Sequence, residues 1–201
     1  MQRQRRQCAP DVRRIALALG SNLGDRRATL RDAWQAILDV IDLPEDTIAV
    51  ASSLYETSPV GTSTPQPDFL NAVTGVATPL EPLELLARLQ SIEHQFGRRR
   101  SGPNQPRTLD IDILLIGDQI IDDPELTVPH PRLHERLFVL EPLAEIYPQW
   151  LNPRRRRSVV EMLTDLGVAP VCNRWHAGSP VANRCHMGQS VRRLTGPEWC
   201  G

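Results

Sequence analysis

Residues 108–116 constrain this chain more than any other stretch: Thr108 and Leu109 lead into Asp110-Ile111-Asp112-Ile113, and Leu114, Leu115 and Ile116 follow before Gly117. An apolar, β-branched run of this length bounded by turn residues reads as a strand. Side chains alternate along a strand, so Asp110 and Asp112 point to one side while Ile111 and Ile113 point into a core. Two carboxylates roughly 7 Å apart on one rigid face suit the bridging of hard cations such as Mg²⁺. The plainer alternative is an acidic, solvent-exposed strand face, although two like charges at this spacing need compensation.

Other elements follow from patterning. Residues 14–19 form a short apolar run closed by Gly20, which reads as a buried strand. Asp25 is placed to cap a helix in which Leu30, Trp34, Ile37, Leu38 and Ile41 recur at spacings of three and four, with Pro44 closing it. Residues 47–57 and 68–78 read as strands. Between them residues 58–67 hold three prolines and one glycine, a loop long enough to be functional. Residues 81–96 are helical through Leu85, Leu86, Leu89, Ile92 and Phe96, with Gly97 as the stop. Gly117-Asp118 predicts a hairpin turn into residues 119–121, and a last helix is predicted over 135–146, ended by Pro148. The order β-α-β-β-α-β predicts an α+β, ferredoxin-like αβα sandwich with a mainly antiparallel sheet. Residues 12–165 are expected to form the catalytic domain. Residues 166–201, without a continuous apolar face, are expected to be a poorly ordered C-terminal appendage.

Composition narrows the chemistry. All 23 basic residues are arginine and the net charge is −1. Without lysine, a G-x-x-x-x-G-K phosphate loop and a lysine Schiff base are excluded, so phosphate chemistry falls to arginine. Near-neutral charge gives no global case for nucleic-acid binding. No apolar run approaches the ~20 residues of a membrane span, and no secretory signal follows Met1, so a cytoplasmic location without a membrane partner is expected. Cys172, His176, Cys185 and His186 invite a zinc reading, but they lack a paired knuckle spacing.

Several residues cluster around the aspartates in sequence. Arg107 precedes Asp110 by three places, and Arg98, Arg99 and Arg100 lie on the loop leading into it. Carboxylates beside arginines are what a nucleoside triphosphate demands, with cation and guanidinium forks sharing its charge. A solvated charged loop is the alternative for this arginine run; Arg154 to Arg157 form a second arginine cluster. His130, between Pro129 and Pro131, can touch a phosphate or be structural. Asn71, two places after Phe69, pairs an amide with an aromatic ring, as reading a flat heterocycle requires; a satisfied core asparagine is the alternative.

Pro106-Arg107-Thr108-Leu109-Asp110-Ile111-Asp112-Ile113-Leu114 and Val128-Pro129-His130-Pro131 resemble the 6-hydroxymethyl-7,8-dihydropterin pyrophosphokinase family of folate biosynthesis. Ala18 to Gly24, Tyr55-Glu56-Thr57-Ser58-Pro59 and Pro67-Asp68-Phe69-Leu70-Asn71 support the resemblance, which runs in the family's order from about residue 15 to 148. It implies an ATP-dependent diphosphotransferase (EC 2.7.6.3) that passes pyrophosphate from ATP to the pterin hydroxymethyl group and leaves AMP. It further implies two Mg²⁺ ions on Asp110 and Asp112, with Phe69 and Phe138 sandwiching the pterin. Asn71 and the backbone of Thr57, Pro59 and Val60 would then read its polar edge. Arg107, His130 and Arg136 would meet the triphosphate, Gln90 and Glu93 would lie near the nucleotide, and Ile113 and Thr127 would line the adenine pocket. Arg98 and Arg100 match mobile-loop arginines that close over the phosphates. Where many members carry an aromatic before the Pro-Arg element, Asn104-Gln105 stand here.

The expected mechanism is an Mg²⁺-dependent in-line attack on the β-phosphorus, with Asp112 or a metal-bound alkoxide sufficing for the proton. The expected partners are small molecules, with neither nucleic acid nor membrane, and the enzyme is expected to be a monomer. Two other readings remain: a ferredoxin-like RNA-binding module, disfavoured by 4% aromatic residues and by aspartates where RNA phosphates would lie, and a non-catalytic homologue, against which stand Asn71, Arg107, Asp110, Asp112 and His130.

Overall fold

A computed structural model describes residues 12–43, 48–59, 65–98, 105–168, 182–184, 190–195 and 197–200. The central motif is β1 (Arg13–Ser21), α1 (Arg26–Val40), β3 (Leu54–Thr57), β4 (Phe69–Thr78), α2 (Pro82–Gln95) and β5 (Asp110–Ile116), with the short β2 (Val50–Ala51) before β3. These strands pair antiparallel in the order β3-β4-β1-β5, with β2 on β4. This is the ferredoxin-like arrangement that the β-α-β-β-α-β order predicts.

Alternation along the strands builds two cores. Ile15, Leu17, Leu19, Leu70, Ala72, Ile111 and Ile113 pack with α1 and α2 through Leu30, Trp34, Ile37, Leu85, Leu89 and Ile92. On the opposite face Ala16, Tyr55, Val73, Leu114 and Leu115 pack under α3 (Leu137–Ile146) and α4 (Val159–Asp165). Burial of such side chains, worth about 1.5–3 kcal/mol each, holds the layers together. Asp25 caps α1 by accepting from the Ala28 amide at 3.0 Å.

The structure corrects three expectations of local structure and adds one helix. The strand expected over 47–57 is broken between β2 and β3. There Ser52 exchanges bonds with Val73 through its amide (2.8 Å) and its hydroxyl (3.0 Å), and the Ser53 amide turns to Glu145 of α3 (3.0 Å). The turn at Gly117 forms, but β6 (Ile121–Asp122) pairs with β7 (Thr127–Val128) rather than folding back on β5. Beside β5, the His130 amide already donates to the Leu114 carbonyl at 2.9 Å. The helix expected from 135 opens as a single tight turn, Leu133–Glu135, before α3. Finally, α4 follows the hairpin β8 (Leu151–Asn152) and β9 (Arg157–Ser158), started by a capping box between Ser158 and Glu161 whose S-x-x-E signal stood in the sequence.

Within 166–201, the described β10 (Ala182–Arg184) and β11 (Ser190–Thr195) extend the sheet, β11 pairing with β3. The sequence of this stretch, weak in apolar periodicity, gives no hint of such a strand: of the described side chains at 191–194, Val191 alone is buried. Cys172, His176, Cys185 and His186 lie outside the described residues. Among the described residues no group of three or more metal-ligating side chains forms, and no helix is long and apolar enough to cross a membrane.

Candidate active site

Cross-strand register assembles the site. Gly20 of β1 stands opposite both Asn71 of β4 and Asp110 of β5, Ala18 opposite Asp112, and Thr57 of β3 opposite Phe69. All of these lie on the face that α3 and α4 cover farther down the strands. Beyond the start of α3 that face carries polar groups in place of core. At Gly20 an added methyl would come within 3.0 Å of Asn71 Oδ1 and 4.0 Å of Asp110 Cβ and of Phe69, so glycine lets the strand pass directly beneath these groups.

The two carboxylates are held differently. Asp110 Oδ2 accepts from Arg107 Nη1 at 2.8 Å, and Arg98 Nη1 lies 2.8 Å from Oδ1. Yet Oδ1 is buried without a directed hydrogen bond, and Arg107 Nε nearby is likewise buried without an acceptor. Burial first, and then repulsion from Asp112, pushes Asp110 above the ordinary carboxyl range, against the pull of the arginines. Asp112 is more open, at 34% side-chain exposure against 19% for Asp110. It receives Arg136 Nη1 at 3.1 Å, and His130 Nε2 stands 3.8 Å away. The Arg132 amide donates to His130 Nδ1 at 3.1 Å, so the neutral ring carries its proton on Nε2, facing Asp112.

Glu93 is buried and its Oε1 accepts the Ile111 amide at 2.7 Å while also pairing with Arg98. Burial chiefly raises its pKa. It ties α2 to the start of β5, a role its sequence position did not disclose. Asn22 was not among the expected site residues: it accepts the Arg107 amide at 2.8 Å and donates to the Pro67 carbonyl at 3.3 Å. It thereby joins the arginine to the end of the proline-rich loop. Its place in the turn after β1 was the available signal.

On the other side of the site, Asn71 donates from Nδ2 to Thr57 Oγ1 at 2.7 Å. Phe69 and Phe138 are half-buried. Each ring carries a guanidinium 5.7 Å from its centroid, Arg107 over Phe69 and Arg136 over Phe138. Pro59 is half-buried just after β3. Gln90 is exposed on α2 one turn before Glu93, and Thr127 is half-buried in β7. Ile113, expected beside the adenine, is 4% exposed in the core facing α1 and α2, on the side of β5 away from Asp112. Val60, Arg99 and Arg100 lie outside the described residues. Arg154 and Arg157 are engaged in surface ion pairs with Asp122, Glu161 and Asp165, and Arg155 contacts His134.

Fold and site together define an antiparallel α+β sandwich whose open sheet face sets paired carboxylates among arginines. The 7,8-dihydro-6-hydroxymethylpterin-pyrophosphokinase (HPPK) family model matches residues 16–148. A Bacillus subtilis 2-amino-4-hydroxy-6-hydroxymethyldihydropteridine pyrophosphokinase is 48% identical over 133 residues, 66% of this chain and 77% of the relative. The protein of the same name from Pseudomonas aeruginosa is 44% identical over 146 residues, 72% of this chain and 87% of its own. Among solved structures, an HPPK-DHPS in complex with substrates superposes with a TM-score of 0.59 at 14% identity, covering 77% of this chain and 43% of that one. A wild-type Plasmodium falciparum HPPK-DHPS superposes with a TM-score of 0.57 at 16% identity, covering 77% and 44%. The chain thus spans less than half the length of these structures, which share its fold. It belongs to the 7,8-dihydro-6-hydroxymethylpterin-pyrophosphokinase family and is a diphosphokinase.

Proposed function

We propose that the chain transfers the pyrophosphoryl group of ATP to the hydroxymethyl group of 6-hydroxymethyl-7,8-dihydropterin, releasing AMP. One observation carries this reading: the Asp110–Asp112 pair with its arginines lies on the same sheet face as the Thr57–Asn71 pair, joined to it through Gly20. A charged polyphosphate and a flat polar heterocycle can therefore meet there.

Asn71 and Thr57 read the polar edge of the pterin, with the backbone of residues 57–60 beside them, and Phe69 and Phe138 supply apolar ring faces. Arg107 and Arg136 grip the triphosphate from either side, with His130 beside the Arg136–Asp112 pair. Arg98 and Arg100 are assigned to its phosphates, with Gln90, Glu93 and Thr127 toward the nucleotide. The unsatisfied Asp110 Oδ1 and Arg107 Nε fit a cation and a phosphate oxygen respectively. Asp110 and Asp112 would hold the two Mg²⁺ ions, whose chemistry is to neutralise the polyphosphate and polarise its phosphorus. The pterin hydroxyl attacks the β-phosphorus in line, the bond to the α-phosphate oxygen breaks, and Asp112 is placed to take the hydroxyl proton. We place the reaction in the cytoplasm, in a monomer acting on small molecules and on neither nucleic acid nor membrane.

The test is AMP formation from ATP and the pterin with Mg²⁺, compared between the natural chain and Asp112→Ala. Loss of about 10³-fold or more in kcat is expected, the scale of removing a principal electrostatic element. Turnover at the unsubstituted rate would overturn the two-cation reading, and no AMP from the natural chain would overturn the activity.

A further inference from the structure

One polar cluster outside the site joins β11 to the substrate end of the sheet. Glu145 of α3 accepts the Ser53 amide at 3.0 Å, the Ser53 hydroxyl at 2.7 Å and the Tyr55 hydroxyl at 2.9 Å. Arg193 of β11 completes the cluster, donating from Nε to Ser53 Oγ at 2.7 Å and from Nη2 to Glu145 Oε1 at 3.0 Å. Two further anchors lie on opposite faces of the sheet. Val191 is fully buried in the core beneath α3. Trp199, 3% exposed in the core beside α1, donates to the Ser52 carbonyl at 2.7 Å.

These contacts straddle β3, a strand of only 4 residues. Without β11 it would be an edge strand with its outer backbone groups unpaired and its end free to fray. Thr57 is that end. It stands opposite Val191 on one side and Phe69 on the other, and its hydroxyl receives Asn71. Residues 190–200 lie beyond the 16–148 match to the family, so this bracing is a feature of the chain's own continuation.

We infer that β11 braces the heterocycle-reading end of the site, with Arg193 a positioning residue that acts through Ser53, Tyr55 and Glu145 on the Thr57–Asn71 pair. The inference rests on the proposed pterin substrate. A side chain that only stabilised the fold would, when removed, lower thermal stability and leave both substrates bound as before. A positioning role has a different signature, because β4 and β1 separate β3 from Asp110 and Asp112 on β5, and Arg136 stands at the opposite end of α3 from Glu145. Weaker pterin binding with unchanged nucleotide binding is therefore the discriminating outcome.

The experiment uses the full chain as the natural protein, Arg193→Ala and Arg193→Lys. Pterin affinity is measured by its fluorescence, steady-state KM is measured for each substrate, and hydrogen exchange is followed at residues 54–57. Arg193→Ala is expected to raise the pterin Kd and KM about 5–20-fold, leave kcat and the ATP KM within twofold, and speed exchange at 54–57. Arg193→Lys keeps the charge without the fork, so it is expected to recover part of the affinity; it also carries the test should the alanine variant not fold. Pterin affinity within twofold in both variants, or equal losses for pterin and ATP, would overturn the inference. Failure of the natural chain to bind pterin would instead overturn the substrate reading on which it rests.

Discussion

Arg98 Nη1 lies 2.8 Å from Asp110 Oδ1, on the carboxylate oxygen that receives no directed hydrogen bond. The guanidinium thus stands where a divalent cation would draw closest to Asp110, and the two positive groups compete for one oxygen. A contact of this kind to a charged group is worth about 1.5–3 kcal/mol. Arg98→Ala is expected to tighten Mg²⁺ binding to the nucleotide-free protein by roughly tenfold, the equivalent of about 1.4 kcal/mol. The same change lowers kcat by about 10²-fold if the arginine meets developing charge during transfer. Titration calorimetry checks the first effect, and an unchanged cation affinity would show that Arg98 is no competitor.

What the sequence disclosed about this site follows from how local its determinants are. Asp110 and Asp112 could be set on one face from strand alternation alone, and Arg107 is bound to Asp110 at a spacing of three residues. The ferredoxin-like order could likewise be read from element order. Contacts across large sequence separations were silent: Asn22 to Arg107, Glu93 to the Ile111 amide and Arg193 to Glu145 depend on register between distant elements. The Ser52–Ser53 break was equally hidden, since nothing local says that a carboxylate from α3 replaces the ladder there. The start of α4 could have been found, because Ser158 and Glu161 carry its signal in four consecutive residues.

Gly20→Ala tests the packing beneath the heterocycle. The new methyl would sit 3.0 Å from Asn71 Oδ1 but no nearer than 4.0 Å to Asp110, so the asparagine has to move and the aspartate does not. Because Asn71 is also bonded to Thr57, the displacement passes into that pair. Pterin KM is expected to rise about tenfold, roughly 1.4 kcal/mol, with ATP KM unchanged. Equal KM values for the variant and the natural chain would mean that Asn71 relaxes without consequence.

His130 gives a pH dependence with a definite sign. Burial first lowers its pKa from 6.5, Asp112 opposes this, and Arg136 and Arg132 add to the lowering. Between the folded value and 6.5 the unfolded chain binds more protons, so stability rises with pH in that window. The penalty is absent well above 6.5 and develops as pH falls through 6.5 toward the folded value. Protonation of Nδ1 also breaks the bond from the Arg132 amide. An imidazole NMR titration should inflect below 6.5, and Arg136→Ala should move the inflection upward by removing repulsion and freeing Asp112. A midpoint at or above 6.5 in the natural chain would refute this.

Gly75 and Tyr147 supply a test of the core that leaves the site alone. A methyl at Gly75 would fall 2.2 Å from the Tyr147 hydroxyl and 2.4 Å from its ring, so Gly75→Ala must expel the ring from its seat on β4. Tyr147 meets Trp150 edge-on at 5.0 Å, and Arg14 lies 4.0 Å above the indole, so movement of one ring disturbs the whole stack. Overpacking of this kind costs about 1–3 kcal/mol, and Gly75→Ala is expected at the upper end, read as a lower denaturation midpoint at constant slope. Tyr147→Ala alone loses the ring's contacts, but in its presence the added methyl finds room. The double variant should therefore be more stable than the sum of the two single losses, by at least about 1 kcal/mol of coupling. Additive losses would place the cost of Gly75→Ala in the strand itself rather than in the ring above it.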